Sequence, residues 1–148
     1  MPIDPKAAYD DGNVFARILR GEIPAQKVYE DDDAIAFMDV MPQGPGHLLV
    51  VPKAASRNLL DADPQVLAKL IAVVQRLAVA AQTAFGADGV SILQYNEEAG
   101  GQSVFHLHFH IVPRFDGVAM QPHSGTMEAP ETLAANAEKL RAALQPAG

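Results

Sequence analysis

Three histidines alternate with apolar residues in one run, His106-Leu107-His108-Phe109-His110-Ile111-Val112. No other segment restricts the fold as strongly. Successive side chains of a strand point to opposite faces. Read as a strand over Val104–Pro113, the run puts all three imidazoles on one face and Leu107, Phe109 and Ile111 on the other. The apolar face calls for a covering layer, and the other is a row of groups that titrate near neutral pH. The whole chain has only five histidines, so this concentration is a feature to be explained.

The rest of the chain supplies partners for such a strand. Residues 1–12 read as a loose arm and 13–148 as a single domain. Asn13 caps a short helix over Val14–Arg20, closed by Gly21. Strands are expected near Gln26–Glu30 and Ala34–Met38, around the acidic turn Asp31-Asp32-Asp33. Met41-Pro42-Gln43-Gly44-Pro45-Gly46 is a loop rich in breakers, and His47–Pro52 is an apolar strand. Asp63 followed by Pro64 starts a helix that runs to Phe85, with Gly86 at its end. Its residues Leu67, Leu70, Ile71, Val74, Leu77, Ala78 and Ala81 form one apolar stripe. Gly89–Tyr95 reads as a strand, residues 114–129 as irregular, and Pro130–Leu144 as a C-terminal helix. The expected class is α+β: an antiparallel sheet of about five strands, covered on one face by the long helix.

Composition removes several functions. The net charge of −7 argues against a nucleic-acid partner, which needs a basic stripe. The absence of cysteine excludes disulfides, thiolate metal sites and a cysteine nucleophile. The polar N-terminus and the interrupted apolar stretches predict a cytoplasmic protein with no membrane partner.

A metal centre is one reading of the histidine strand. Side chains at i and i+2 can share a zinc ion, but those at i and i+4 lie about 13 Å apart along a strand. No HExxH helix exists either, so no metal and no cofactor is expected. A purely structural role is a second reading, although each buried imidazole then needs partners for two ring nitrogens. The third is acid–base and nucleophilic chemistry, in which a neutral ring nitrogen attacks phosphorus or an acyl carbon while an acceptor fixes the other nitrogen. The loop Ala99-Gly100-Gly101-Gln102-Ser103 stands just upstream. Its glycines let backbone N–H groups approach an anion.

With Gly101-Gln102-Ser103 before it and Pro113-Arg114 after it, the run resembles the signature of the histidine triad (HIT) family, and within it the Hint-like purine nucleoside phosphoramidases. Val14-Phe15-x-x-Ile18, Gly21-Glu22-Ile23-Pro24-Ala25, Phe37-x-Asp39-Val40-x-Pro42-x-x-Pro45-x-His47 and Val50-Val51-Pro52-Lys53 resemble further family segments. The resemblance implies a HIT-like sheet extended across a two-fold homodimer. It implies hydrolysis of nucleoside 5′-phosphoramidates through a nucleotidyl-histidine, with AMP or an AMP conjugate as the purine nucleotide. By resemblance His108 is the nucleophile, His110 binds phosphate, and His106 supports the site in a relay with His47. Gln102 and Ser103 contact phosphate and leaving group beside Gly101, and Asn96 is the phosphate-site asparagine. Asp39 holds the ribose, and Val14, Phe15, Phe37 and Val40 line the base pocket. Alternatives are a dinucleoside polyphosphate hydrolase, which the acidic Asn96-Glu97-Glu98 loop disfavours, and a nucleotide-binding adaptor with vestigial activity. His123, in the tail, reads as an exposed loop residue.

Overall fold

The computed structural model describes residues 9–122 and 126–145; His123 lies outside them. The element order is α1 (Val14–Leu19), β1 (Lys27–Glu30), β2 (Ala34–Met38), β3 (Leu48–Pro52), α2 (Pro64–Phe85), β4 (Gly89–Leu93), β5 (Phe109–Arg114) and α3 (Pro130–Leu144). The strands form one five-stranded sheet in the order β1-β2-β3-β5-β4, with every neighbour antiparallel.

Local chemistry accounts for the helix ends. The Asn13 side chain accepts from the Ala16 N–H at 2.9 Å and begins α1. Asp63 accepts from the Gln65 N–H at 2.7 Å, Pro64 occupies the first turn, and Gly86 ends α2 in the left-handed region at φ 60°. Both starts are where the cap residues predict them.

Alternation along the strands sorts the apolar residues into two clusters. Ala34, Ala36, Met38, Leu48, Val50 and Ile111 face Leu70, Val74, Leu77 and Ala81 of α2 and Leu133, Ala137 and Leu140 of α3. Ile35, Phe37, Leu49 and Val51 form the opposite face and are closed by Phe15 of α1, with Ile18 and Leu19 beside it. The expectation of a sheet covered by helix on one face is thus incomplete. Every residue of β2 and β3 is buried, because α1 seals the second face and α3 joins α2 on the first. The apolar stretches are also longer than their polar interruptions imply: α2, at 22 residues, is long and apolar enough to cross a membrane by length and composition. Its stripe packs in the main core instead, with one correction: Ile71, read as part of it, lies at the edge of the stripe and is 51% exposed.

The histidine strand is shorter than its pattern. β5 begins at Phe109, paired with Val50, so His106 and His108 precede the ladder. Its partner β3 ends at Pro52, which has no N–H to donate. The Leu107 N–H turns to the Ser56 carbonyl at 3.0 Å instead. The alternation nevertheless survives: Leu107 is fully buried in the α2 cluster, while His108 meets Phe15 on the other side.

Candidate active site

The site lies on the α1 face of the sheet, where β2, β3 and β5 bring their ends together. Asp39 leaves β2 and His47 enters β3, and the Asp39 N–H donates to the His47 carbonyl at 3.0 Å across the loop they close. Inside that loop the Gln43 N–H donates to His47 Nδ1 at 3.0 Å. Nδ1 is therefore an acceptor, and neutral His47 carries its proton on Nε2. His47 Nε2 lies 2.9 Å from His110 Nδ1 and 3.5 Å from Asp39 Oδ2. That geometry makes His110 Nδ1 the acceptor and puts the His110 proton on Nε2. Asp39 also accepts from the Met41 N–H at 2.8 Å.

Among the described residues, Asp39, His47 and His110 bring one possible ligand atom each within 4.8 Å of the others, a grouping that could hold a metal ion. The direct hydrogen bond between the two imidazoles accounts for that closeness without one.

His108 Nδ1 lies 2.6 Å from the His106 carbonyl oxygen. A carbonyl only accepts, so the His108 proton sits on Nδ1 and the lone pair on Nε2. The ring stands 4.8 Å from Phe15 and 5.0 Å from His110, edge-on to each. His106 donates from Nε2 to the Pro52 carbonyl at 2.8 Å and accepts at Nδ1 from the Tyr9 hydroxyl at 2.5 Å. Tyr9 belongs to the segment read as a loose arm, yet it is tied to the site. The expected relay between His106 and His47 is not formed: His47 pairs with His110, and His106 with Tyr9 and Pro52.

Burial pushes His106 and His108 below the ordinary histidine value of 6.5; the carbonyls of Pro52 and His106, respectively, oppose the shift. Both rings are thus neutral at neutral pH. The unfolded chain retains the ordinary value, so it binds more protons than the native state as pH falls below 6.5. Their contribution to stability is complete above that pH and is lost below it, with a slope approaching about 1.4 kcal/mol per pH unit for each ring. Urea midpoints measured from about pH 7.5 down to about pH 5.5 should fall accordingly. A midpoint flat over that window would refute neutral burial of the pair.

Several residues expected at the phosphate have other partners. The Gln102 amide is saturated: Nε2 donates to the carbonyls of Arg57 (2.8 Å) and Val104 (2.9 Å), and Oε1 accepts from Asn58 Nδ2 (3.1 Å) and the Glu97 N–H (2.7 Å). It braces the loop and has no N–H left for an anion. Asn96 also has partners of its own: Oδ1 accepts from the Leu59 N–H and from Gln94 Nε2, and one N–H of Nδ2 donates to Gln94 Oε1. Ser103 and Gly101 are exposed. Ser103 shares a groove of about 410 Å³ with Asn13, Val14, Arg57, Val104 and Phe105. Phe15 and Phe37 are buried and meet edge to face at 5.5 Å. Val14 and Val40 stay exposed, at 38% and 40%.

The acidic loop is less acidic than its sequence. Glu97 takes φ 66° and ψ 163°, a conformation that glycine adopts without strain and other residues do not. Its carboxylate turns inward, where Arg57 Nε and Nη2 grip it at 2.8 and 2.9 Å and Asn58 Nδ2 at 2.7 Å. The hydrogen bond from Arg57 holds it below the usual carboxylate range, and only Glu98 is exposed. The acidic loop therefore weighs less against a polyphosphate than its sequence implies. Arg57 and Glu97 stand 40 positions apart, and no spacing in the sequence connects them. Tyr95, edge-on to His110 at 5.7 Å, and Tyr9 also go unread from sequence.

Comparison with known proteins gives the family. The family profile for the HIT domain matches residues 20–117. The HIT-like protein MJ0866 of Methanocaldococcus jannaschii is 40% identical over 104 residues, 70% of this chain and 80% of its own length. The adenylylsulfatase HINT3 of Arabidopsis thaliana is 40% identical over 101 residues, 68% of this chain and 51% of that protein. A crystal structure of a Hit-like protein involved in cell-cycle regulation from Bartonella henselae superposes with a TM-score of 0.87 at 54% identity, covering 93% of this chain and all of that one. With its histidine run, its sheet order and these relatives in agreement, the chain belongs to the HIT domain family.

Proposed function

We propose that the protein hydrolyses nucleoside 5′-phosphoramidates, in the manner of an adenosine 5′-monophosphoramidase, through a nucleotidyl-His108 intermediate. The observation that carries this reading is the 2.6 Å contact from His108 Nδ1 to the His106 carbonyl. It leaves a neutral imidazole with its lone pair on Nε2, which is the form that attacks phosphorus.

In the first step Nε2 of His108 attacks the α-phosphorus. The N–P bond to the enzyme forms, the P–N bond of the substrate breaks, and its electron pair stays on the leaving nitrogen. That nitrogen takes a proton from the Ser103 hydroxyl, which recovers one from water. Water then attacks phosphorus, the electron pair returns to Nε2, and the nucleoside monophosphate leaves. His110, with its proton held on Nε2 by His47, donates to a phosphoryl oxygen as negative charge develops there. Asp39 accepts from the ribose hydroxyls, and Val14 and Val40 cover the purine above Phe15 and Phe37. Gln102 and Asn96 serve by shaping the loop. The expected setting is a cytoplasmic two-fold homodimer joined through a sheet edge.

A second reading is hydrolysis of adenosine 5′-phosphosulfate, favoured by the similarity to an adenylylsulfatase. The same attack serves, and sulfate departs without needing a proton. Initial rates of AMP release from adenosine 5′-phosphoramidate, adenosine 5′-phosphosulfate and a diadenosine polyphosphate decide among these, with quenching in alkaline denaturant to trap AMP on the protein, because the P–N bond to histidine is lost in acid. The expected result is the highest kcat/KM for the phosphoramidate. A preference for the phosphosulfate would replace the first reading with the second, and no AMP release from any of the three would overturn both.

A further inference from the structure

We propose that Tyr9 is a positioning residue for the nucleophile, acting through His106; the proposal rests on the reading of His108 as the attacking group. Tyr9 lies 97 positions before His106, yet its hydroxyl meets His106 Nδ1 at 2.5 Å, with the two rings edge-on at 5.5 Å. Asn13 Nδ2 donates to the Tyr9 oxygen at 3.0 Å. With that acceptor site occupied, the phenolic proton is directed at the imidazole.

Complementarity of donors and acceptors then fixes a chain of protons. Pro52 offers His106 only a carbonyl, so Nε2 must carry the His106 proton. Nδ1 is left as a buried acceptor, and the hydroxyl of Tyr9 supplies its donor. Held at both nitrogens, His106 is 1% exposed, and its own carbonyl is the group that keeps the His108 proton on Nδ1. The ordering runs from Asn13 to Tyr9 to His106 to His108, and it ends on the nitrogen that attacks phosphorus. Without the hydroxyl, a neutral His106 keeps an orphaned acceptor in the interior. The ring relieves it by turning. Turning gives up the Nε2 bond to the Pro52 carbonyl, the tie that anchors the residue whose backbone carbonyl holds His108. That loosened hold weakens attack while leaving the nucleotide contacts of Asp39, Val14 and Val40 in place.

Tyr9→Phe removes the hydroxyl and keeps the ring. The expected result is a kcat for adenosine 5′-phosphoramidate lowered about tenfold, with KM within about twofold of wild type. Imidazole 15N spectra should show His106 protonated on Nε2 and His108 on Nδ1 in the wild type, and loss of the single His106 tautomer in the variant. A tie that merely supports the fold would lower the thermal midpoint and leave kcat and the tautomers unchanged; that result overturns the proposal. So does a wild-type His108 protonated on Nε2, whether or not the variant folds. A wild type that turns over no phosphoramidate refutes the functional reading instead, and the two sets of spectra still decide whether Tyr9 sets the tautomers.

Discussion

Replacing His108 with alanine is expected to lower phosphoramidate turnover by about 10⁴–10⁶-fold and to abolish the acid-labile, alkali-stable AMP adduct, while AMP still binds. The size of the effect follows from what remains. The His110 imidazole stands 5.0 Å away between ring centroids, but its Nδ1 is committed to His47 and its Nε2 holds the proton. It has no lone pair to offer phosphorus. His106 is buried between Tyr9 and the Pro52 carbonyl and faces the same objection. Water must then attack the phosphoramidate directly, helped only by the donor at His110. Binding survives because the residues assigned to ribose and base, Asp39, Val14 and Val40, stand on α1 and on the loop between β2 and β3. The measurement pairs single-turnover hydrolysis with titration of AMP. Turnover retained to within tenfold would remove His108 from the nucleophile's role. Full AMP binding by a wild type that lacks turnover would favour a nucleotide-binding adaptor.

Much of the fold was written in short-range signals, and these are where sequence and structure agree. Caps at Asn13 and Asp63, most of the α2 stripe and the apolar runs of β2 and β3 act within a few residues of themselves. The failures share one cause: they depend on a partner distant in the chain. β5 begins at Phe109 because Pro52, on another strand, cannot continue the ladder. The second face is covered because Phe15 lands on Phe37. Gln102 is withdrawn from the phosphate because Arg57 and Asn58 reach it across more than 40 residues. The three histidines illustrate both halves. Their shared side was legible from period two. Which ring pairs with which was not, because a proton's position depends on carbonyls and N–H groups that only the folded backbone delivers. Glu97 is the sharpest case: it occupies a backbone conformation suited to glycine, and only the grip of Arg57 and Asn58 explains why an acid is kept there.

Gly46→Ala is expected to destabilise the protein by about 2–5 kcal/mol, combining left-handed backbone strain with overpacking, and to lower the thermal midpoint by about 5–15 °C. Gly46 sits at φ +83°, and a Cβ there would lie 2.5 Å from Phe85 Cε2 and 2.7 Å from Cδ2. Phe85 ends α2 and packs against the main core, so its ring cannot yield without opening the contact between helix and sheet. The alternative is for the loop to move, and the loop holds His47. The His47 N–H bonds to the Gly44 carbonyl at 3.2 Å, and Gln43 fixes the His47 tautomer. A displaced loop therefore loosens the proton on His110 as well. Calorimetry of Gly46→Ala, Phe85→Leu and the pair measures the clash directly, since the two costs should fall short of adding if the methyl and the ring compete for one space. Gly100→Ala is the control: a Cβ at Gly100 meets nothing within 4 Å and its φ is unexceptional, so a change of no more than about 0.5 kcal/mol is expected. Equal effects at the two glycines would show that the loop tolerates a side chain at Gly46, and that the approach of Phe85 does not hold the His47 end of the site in place.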